Sequence, residues 1–150
     1  MKVIAYDPYN SEATHDLDAL LVEADIVSMH AAPTPETLAM MGAAQFSRMK
    51  QGAIYINSAR AALHDVKALT DALVSGHLFA AGLDHFEGER LPKGDPLLSL
   101  DNVVLTPHIG GATYDTEVNH SNMIAADLER LLCGERPKFI INPEVLDGIS

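Results

Sequence analysis

The chain reads as an α/β protein built on a parallel sheet of about five strands with helices on both faces, and two observations carry that expectation. Short, almost continuously apolar runs rich in β-formers alternate with helical patterns from end to end, with no Pro/Ser-rich linker or internal repeat between them. Each run is followed at once by polar or ionisable residues, and in parallel α/β sheets ligands bind beyond the carboxyl ends of the strands. Composition agrees: 150 residues with 47% hydrophobic and 21% charged side chains suit one globular domain.

The expected strands are residues 3–6 (VIAY), 26–29 (IVSM), 53–56 (AIYI), 79–83 (FAAGL) and 103–105 (VVL). Apolar runs this short are what strands covered on both sides look like. Helices are expected at 17–24, 43–49 and 65–75, the last with Val66, Leu69, Ala72 and Leu73 at helical spacing and Gly76 placed to end it. The longest covers 114–133, with Val118, Met123, Ala126, Leu128, Leu131 and Leu132 on its apolar side and Gly134 as its stop. A tail at 136–150, with two prolines and the run Phe139-Ile140-Ile141, is expected to cross to another surface.

Ten Lys plus Arg against 21 Asp plus Glu give a formal charge of −11, a field that repels nucleic acid and anionic membrane surfaces. A local pocket can still hold a small anion. No apolar run approaches the roughly 18 residues of a spanning helix, and Met1-Lys2-Val3 opens into a strand-like segment rather than a signal peptide. Cys133 stands alone, which excludes an intrachain disulfide or cysteine metal cluster and fits a reducing cytoplasm. His15, His30, His64, His77, His85 and His120 have no ligand-like spacing, so no metal is assigned.

The strand ends carry the chemistry. Asp7 follows the first run, where a carboxylate can accept from both hydroxyls of an adenosine ribose and disfavour a 2′-phosphate, although Asp-Pro is also a common turn opener. Arg60, Glu89 and His108 follow the third, fourth and fifth runs, so folding can bring a cation, a carboxylate and an imidazole to one cleft. An imidazole there can give a proton to a carbonyl or take one from an alcohol, a carboxylate beside it orients the ring, and an arginine grips a substrate carboxylate in two places. That trio suits hydride transfer. The bland alternative is an arginine at a helix start, a surface glutamate and a histidine in a turn. Gly110-Gly111 permits close approach of a flat ring, or simply a sharp turn into the last helix.

Together the strings YDPY at 6–9, ADIVSMH at 24–30, TPET at 34–37, MKQGAIYINSARA at 49–61, ALTDALVSGHL at 68–78, AAGLDHFEGE at 80–89 and NVVLTPHIGGAT at 102–113 resemble the D-isomer-specific 2-hydroxyacid dehydrogenases. NPEV at 142–145 resembles the family's C-terminal end. The resemblance implies an NAD-dependent oxidoreductase acting on a small 2-hydroxy or 2-keto acid, with a Rossmann-like NAD-binding domain. It makes Arg60 the substrate-binding arginine, His108 the proton donor and Glu89 its partner, with Glu87 as the other candidate. Asp7 and Pro8 would hold the adenosine ribose, His30, Ala31 and Thr37 would lie along the cofactor groove, and Asp84 would face the nicotinamide carboxamide. Ser58, Ala59, His108 and Gly110 would line the nicotinamide pocket.

The sequence also departs from the family pattern. Ala61 stands where the family has Gly, Ala32 where it has Pro, and Arg90 where Pro follows the glutamate. No GxGxxG occurs, so the strand, turn and helix that receive a pyrophosphate are missing from these residues. Residues 1–135 therefore read as an incomplete Rossmann-like domain and 136–150 as a tail that in the family returns toward the substrate domain, with weak NAD binding and little turnover expected alone. Strand 3–6 is expected to pair directly with strand 26–29, because open apolar edges tend to associate. The long helix from Tyr114 and an unfilled sheet position both offer apolar surface, which suggests a homodimer. A non-catalytic NAD-responsive interaction module, corepressor-like, and a remnant without function are the competing readings.

Overall fold

The computed structural model describes residues 1–13 and 15–148, and the chain divides into two compact units, 1–109 and 110–150. The first holds a four-stranded parallel sheet in the order β1 (Ile26–Met29), β2 (Ala53–Asn57), β3 (Leu78–Leu83), β4 (Val103–Leu105). Three helices join it: α1 (Leu17–Glu23), α2 (Ala43–Arg48) and α3 (Val66–Val74). Asp16 caps α1 by accepting from Ala19 N, and Asp65 caps α3 by accepting from Ala68 N. Leu69 and Leu73, one turn apart on α3, are both buried.

Burial alternates along β1 and β2, and the buried positions (Val27, Met29, Ala53, Tyr55) share one core with Leu21 of α1, Phe46 of α2 and Leu69 of α3. Within residues 1–109 the three helices all lie on one face of the sheet, and Ile26 and Val104 lie on the other. The strand order explains this. Right-handed crossovers that always step the same way across a sheet drop every connection on the same side, and this order never reverses. Even the β3–β4 link, a 3₁₀ turn at Pro96–Ser99, sends Leu97 into that same core.

The fifth expected strand, 3–6, is corrected. The segment is not a strand and does not pair with β1; Val3 is 78% exposed, and Ala5 O accepts from His15 N at 3.3 Å. Lys2 reaches Glu23 at the end of α1 instead, at 2.5 Å. β1 is an edge strand of the sheet, yet the run does not join it and meets the chain before α1 instead, through Ala5 O and His15 N.

Beneath the carboxyl ends of the strands lies a buried polar network. Asn57, at the end of β2, accepts from Ala59 N (3.0 Å) and donates to Arg60 O (2.8 Å) and His64 Nδ1 (2.9 Å). Tyr55 hydroxyl also faces His64 Nδ1, at 3.3 Å, and burial holds that hydroxyl protonated. With an amide N–H directed at Nδ1, His64 is the neutral Nε2–H tautomer, and burial pushes its pKa down to about 4.

Two loop residues that leave this edge, Glu89 (φ 58°) and His108 (φ 55°), adopt the left-handed conformation without being glycine. Such backbone costs about 1–2 kcal/mol per residue and persists only where surrounding contacts over-determine it.

The second unit contains α4 (Tyr114–Leu132), capped by Thr113, which accepts from Thr116 N. It ends as expected at Gly134 (φ 74°), where Gly134 N donates to Leu131 O and Glu135 N to Arg130 O, a Schellman arrangement. None of its residues is buried. The tail folds back on α4: Asp127 accepts from Lys138 N and Phe139 N at 2.8 and 2.9 Å. Of the tail 136–150, residues 149 and 150 lie outside the described residues. No helix of the described residues is long and apolar enough to cross a membrane.

Two outcomes follow. Because the unfolded chain takes up a proton near pH 6.5 that folded His64 refuses until about pH 4, its contribution is intact above that window and is lost as pH falls through it. Urea titrations should show native protein losing about 2 kcal/mol more than His64→Gln between pH 7 and pH 5; equal losses would refute the neutral buried assignment. Glu89→Gly should be more stable than Glu89→Ala by about 1 kcal/mol, since both lose the side chain and only glycine relieves the backbone. Equal stability in the same titrations would mean that residue 89 carries no strain.

Candidate active site

Three strand ends build the site. After β2, the Asn57 amide folds the chain so that Ala59 N and the Arg60 carbonyl are both tied down. The Arg60 guanidinium is then fixed by Nη1, which donates to Ala59 O at 2.7 Å and to His85 Nε2 at 3.3 Å.

After β3 and β4, one carboxylate joins two loops. Asp84 is buried, and its Oδ1 accepts from Thr106 Oγ1 (2.5 Å) and Ile109 N (2.9 Å), while its carbonyl accepts from His108 N (2.9 Å). Asp84 N in turn donates to Asn57 O at 3.1 Å, continuing the β2–β3 pairing. The loop after β4 is thereby held against the loop after β3. Gly88 (φ 64°) allows the tight 3₁₀ turn Glu87–Glu89 that brings Glu89 back toward the sheet.

His108 Nδ1 lies 3.1 Å from Glu89 Oε2, and the other oxygen, Oε1, lies 3.7 Å from His85 Nδ1. It is Glu89 rather than Glu87 that reaches His108. The two imidazoles meet with centroids 3.6 Å apart and planes inclined by 52°. A guanidinium only donates, so His85 Nε2 is an acceptor and Nδ1 carries its proton, toward Glu89. Burial, followed by the neighbouring charges of His108 and Arg60, lowers the pKa of His85 and keeps that ring neutral. Glu89 and His108 stay accessible, with side chains 59% and 46% exposed, whereas His85 is 4% exposed. Arg60, Glu89 and His108 are thus gathered into one cluster through His85. Spacing between histidines did not single out His85; the signal was its i,i+4 relation to Glu89 across a Gly-containing turn.

Two grooves adjoin the cluster. One of about 370 Å³ is lined by His30, Ala31, Ala32, Pro33, Ser58, Ala59 and Arg60; a second of about 180 Å³ has Gly82, Asp84 and Thr106 in its wall and shares Ser58 with the first. Thr37 stands behind the first groove, accepting from Thr34 N (2.7 Å) and donating to Ala32 O (2.6 Å), so it braces the wall. Asp7 and Pro8 line neither groove; the Asp7 carboxylate accepts from Tyr9 N at 2.9 Å in a local turn. Gly110 belongs to the second unit.

A flat groove at the β1–β2 end, a second with glycine in its wall, and a trio of cation, carboxylate and imidazole fit the nicotinamide end of a dinucleotide. The chain is 48% identical over 130 residues to glyoxylate/hydroxypyruvate reductase B of Citrobacter koseri, covering 87% of this chain and 40% of that protein. It is 40% identical over 154 residues to glyoxylate reductase of Korarchaeum cryptofilum, covering 97% of this chain and 46% of that one. The crystal structure of D-lactate dehydrogenase with NAD+ from Lactobacillus jensenii superimposes with a TM-score of 0.85 at 35% identity, over 93% of this chain and 48% of the other. The chain therefore spans less than half the length of these relatives. Residues 1–110 match the family described as D-isomer specific 2-hydroxyacid dehydrogenase, NAD binding domain, and this chain belongs to that family.

Proposed function

We propose that the chain is the cofactor-side part of an oxidoreductase that interconverts a small 2-hydroxy acid and its 2-keto acid. The observation that carries this reading is the contact of His108 with Glu89 in a cluster that Arg60 joins through His85. NAD, when bound, accepts or supplies the hydride. His30, Ala31, Ser58 and Ala59 would line its nicotinamide end, with Asp84 and His108 beside it and Thr37 bracing the groove.

Arg60 binds the substrate carboxylate. Its resting hydrogen bond to the neutral His85 is weaker than a bidentate grip on a carboxylate, so substrate displaces it. His108 uses Nε2 to move a proton to or from the substrate oxygen, while Glu89 at Nδ1 fixes the ring and stabilises the charge that the ring takes on. Buried Asp84 holds the loop that presents His108. A pure scaffold has no need of this convergence, which favours catalysis over a non-catalytic interaction module.

Asp7 and Pro8 would meet the adenosine ribose only weakly, since the Asp7 carboxylate already serves its own turn, and no GxGxxG lies in these residues to receive the pyrophosphate. NADH affinity should therefore be weak, with a dissociation constant above about 100 μM by fluorescence titration; low-micromolar binding would contradict this. The unburied apolar residues of α4 support a homodimer, which light scattering would show as twice the mass of one chain and refute as a single mass.

Glyoxylate-dependent NADH oxidation, however slow, should fall at least about 100-fold in His108→Gln. Arg60→Gln should raise the KM for glyoxylate by a comparable factor. Unchanged rates in both variants would remove the assignment.

A further inference from the structure

The cluster beside Arg60 offers a further kind of chemistry. One ring nitrogen of His85, one of His108 and a carboxylate oxygen of Glu89 lie mutually within 4.8 Å, and in both rings Nδ1 is the atom that faces Glu89. We propose that these three residues form a binding site for one divalent transition-metal ion of the zinc class.

Donors about 2.1 Å from a tetrahedral zinc ion lie roughly 3.4 Å from one another. Glu89 Oε1 stands 3.7 Å from His85 Nδ1 and Oε2 stands 3.1 Å from His108 Nδ1, so a shift of about 1 Å among side chains already within 4.8 Å of one another closes the site. Two imidazole nitrogens and one carboxylate oxygen select zinc, cobalt or nickel over magnesium and calcium, which take all-oxygen shells. The frame is built in advance. His85 is buried, and Asp84 ties the loop of His108 to the strand end that carries His85. Glu89 and His108 are exposed, which leaves the remaining coordination positions to water.

Arg60 responds to the ion. With the metal on Nδ1, His85 must carry its proton on Nε2, the atom that now accepts from Arg60 Nη1 at 3.3 Å. Two N–H groups would then face each other, so metal binding expels the guanidinium from His85. A carboxylate that draws Arg60 away therefore favours the ion, and the ion favours the carboxylate. The effect on turnover rests on the proposed function: a metal held by His108 Nδ1 and Glu89 removes the partner of the ring and locks its proton on Nε2, so the ion inhibits. Binding itself rests on the geometry alone.

The test is a titration of the full chain with Co²⁺ near pH 7.5, followed by its visible d–d absorption and reversed with Zn²⁺. One equivalent should bind with a spectrum of nitrogen and oxygen ligands and no thiolate charge-transfer band. Glu89→Gln, at an exposed position, and His85→Gln, checked for a native melt, should each weaken binding at least about tenfold. Cys133→Ser should leave it unchanged. Absence of a one-to-one complex, full-strength binding in Glu89→Gln, or loss of binding in Cys133→Ser would overturn the site. Turnover is not read in this titration, so the site and the oxidoreductase reading can fail separately.

Discussion

One oxygen of one buried carboxylate organises the reactive edge of this protein. Asp84 Oδ1 accepts from the Thr106 hydroxyl and the Ile109 amide, two donors from the loop after the neighbouring strand. Hydrogen bonds to a charged acceptor contribute roughly 1.5–3 kcal/mol each, so the pair outweighs the 1–2 kcal/mol cost of holding His108 left-handed between them. The strained backbone is what turns the imidazole toward Glu89. Without that clamp the loop has no reason to keep a conformation that non-glycine residues avoid.

A second buried group plays the matching part under Arg60. Asn57 satisfies its whole amide within the turn and beneath it, using His64 as an acceptor whose neutral state burial enforces. The two strand ends thus share a design in which a buried polar side chain ties down backbone, and the backbone presents an exposed reactive group. His85 bridges them, touching Arg60 on one ring nitrogen and facing Glu89 on the other.

Much of this was legible in the sequence. Four of the five apolar runs became strands, and Arg60, Glu89 and His108 could be singled out because each follows a strand in a parallel α/β pattern. Periodicity could not show that run 3–6 stays off the edge strand β1, nor that an unreversed strand order sends α1, α2 and α3 to the same face of the sheet. His85 lies in the polar strand end Asp84–Glu89 but has no ligand-like spacing to another histidine; its role depends on a turn at Gly88 and on the backbone of residues 89 and 108, which spacing does not encode. Asp84 was expected to face a cofactor, and the hydrogen bonds that make it a clamp come from residues more than twenty positions away.

The most direct test is a crystal structure of Asp84→Ala. With the clamp removed, the four strands should superimpose on the native ones, while the loop 106–109 relaxes to ordinary backbone and His108 Nδ1 leaves hydrogen-bonding distance of Glu89. If His108 kept its left-handed conformation and its contact with Glu89 in that variant, the carboxylate would not be what holds the site together.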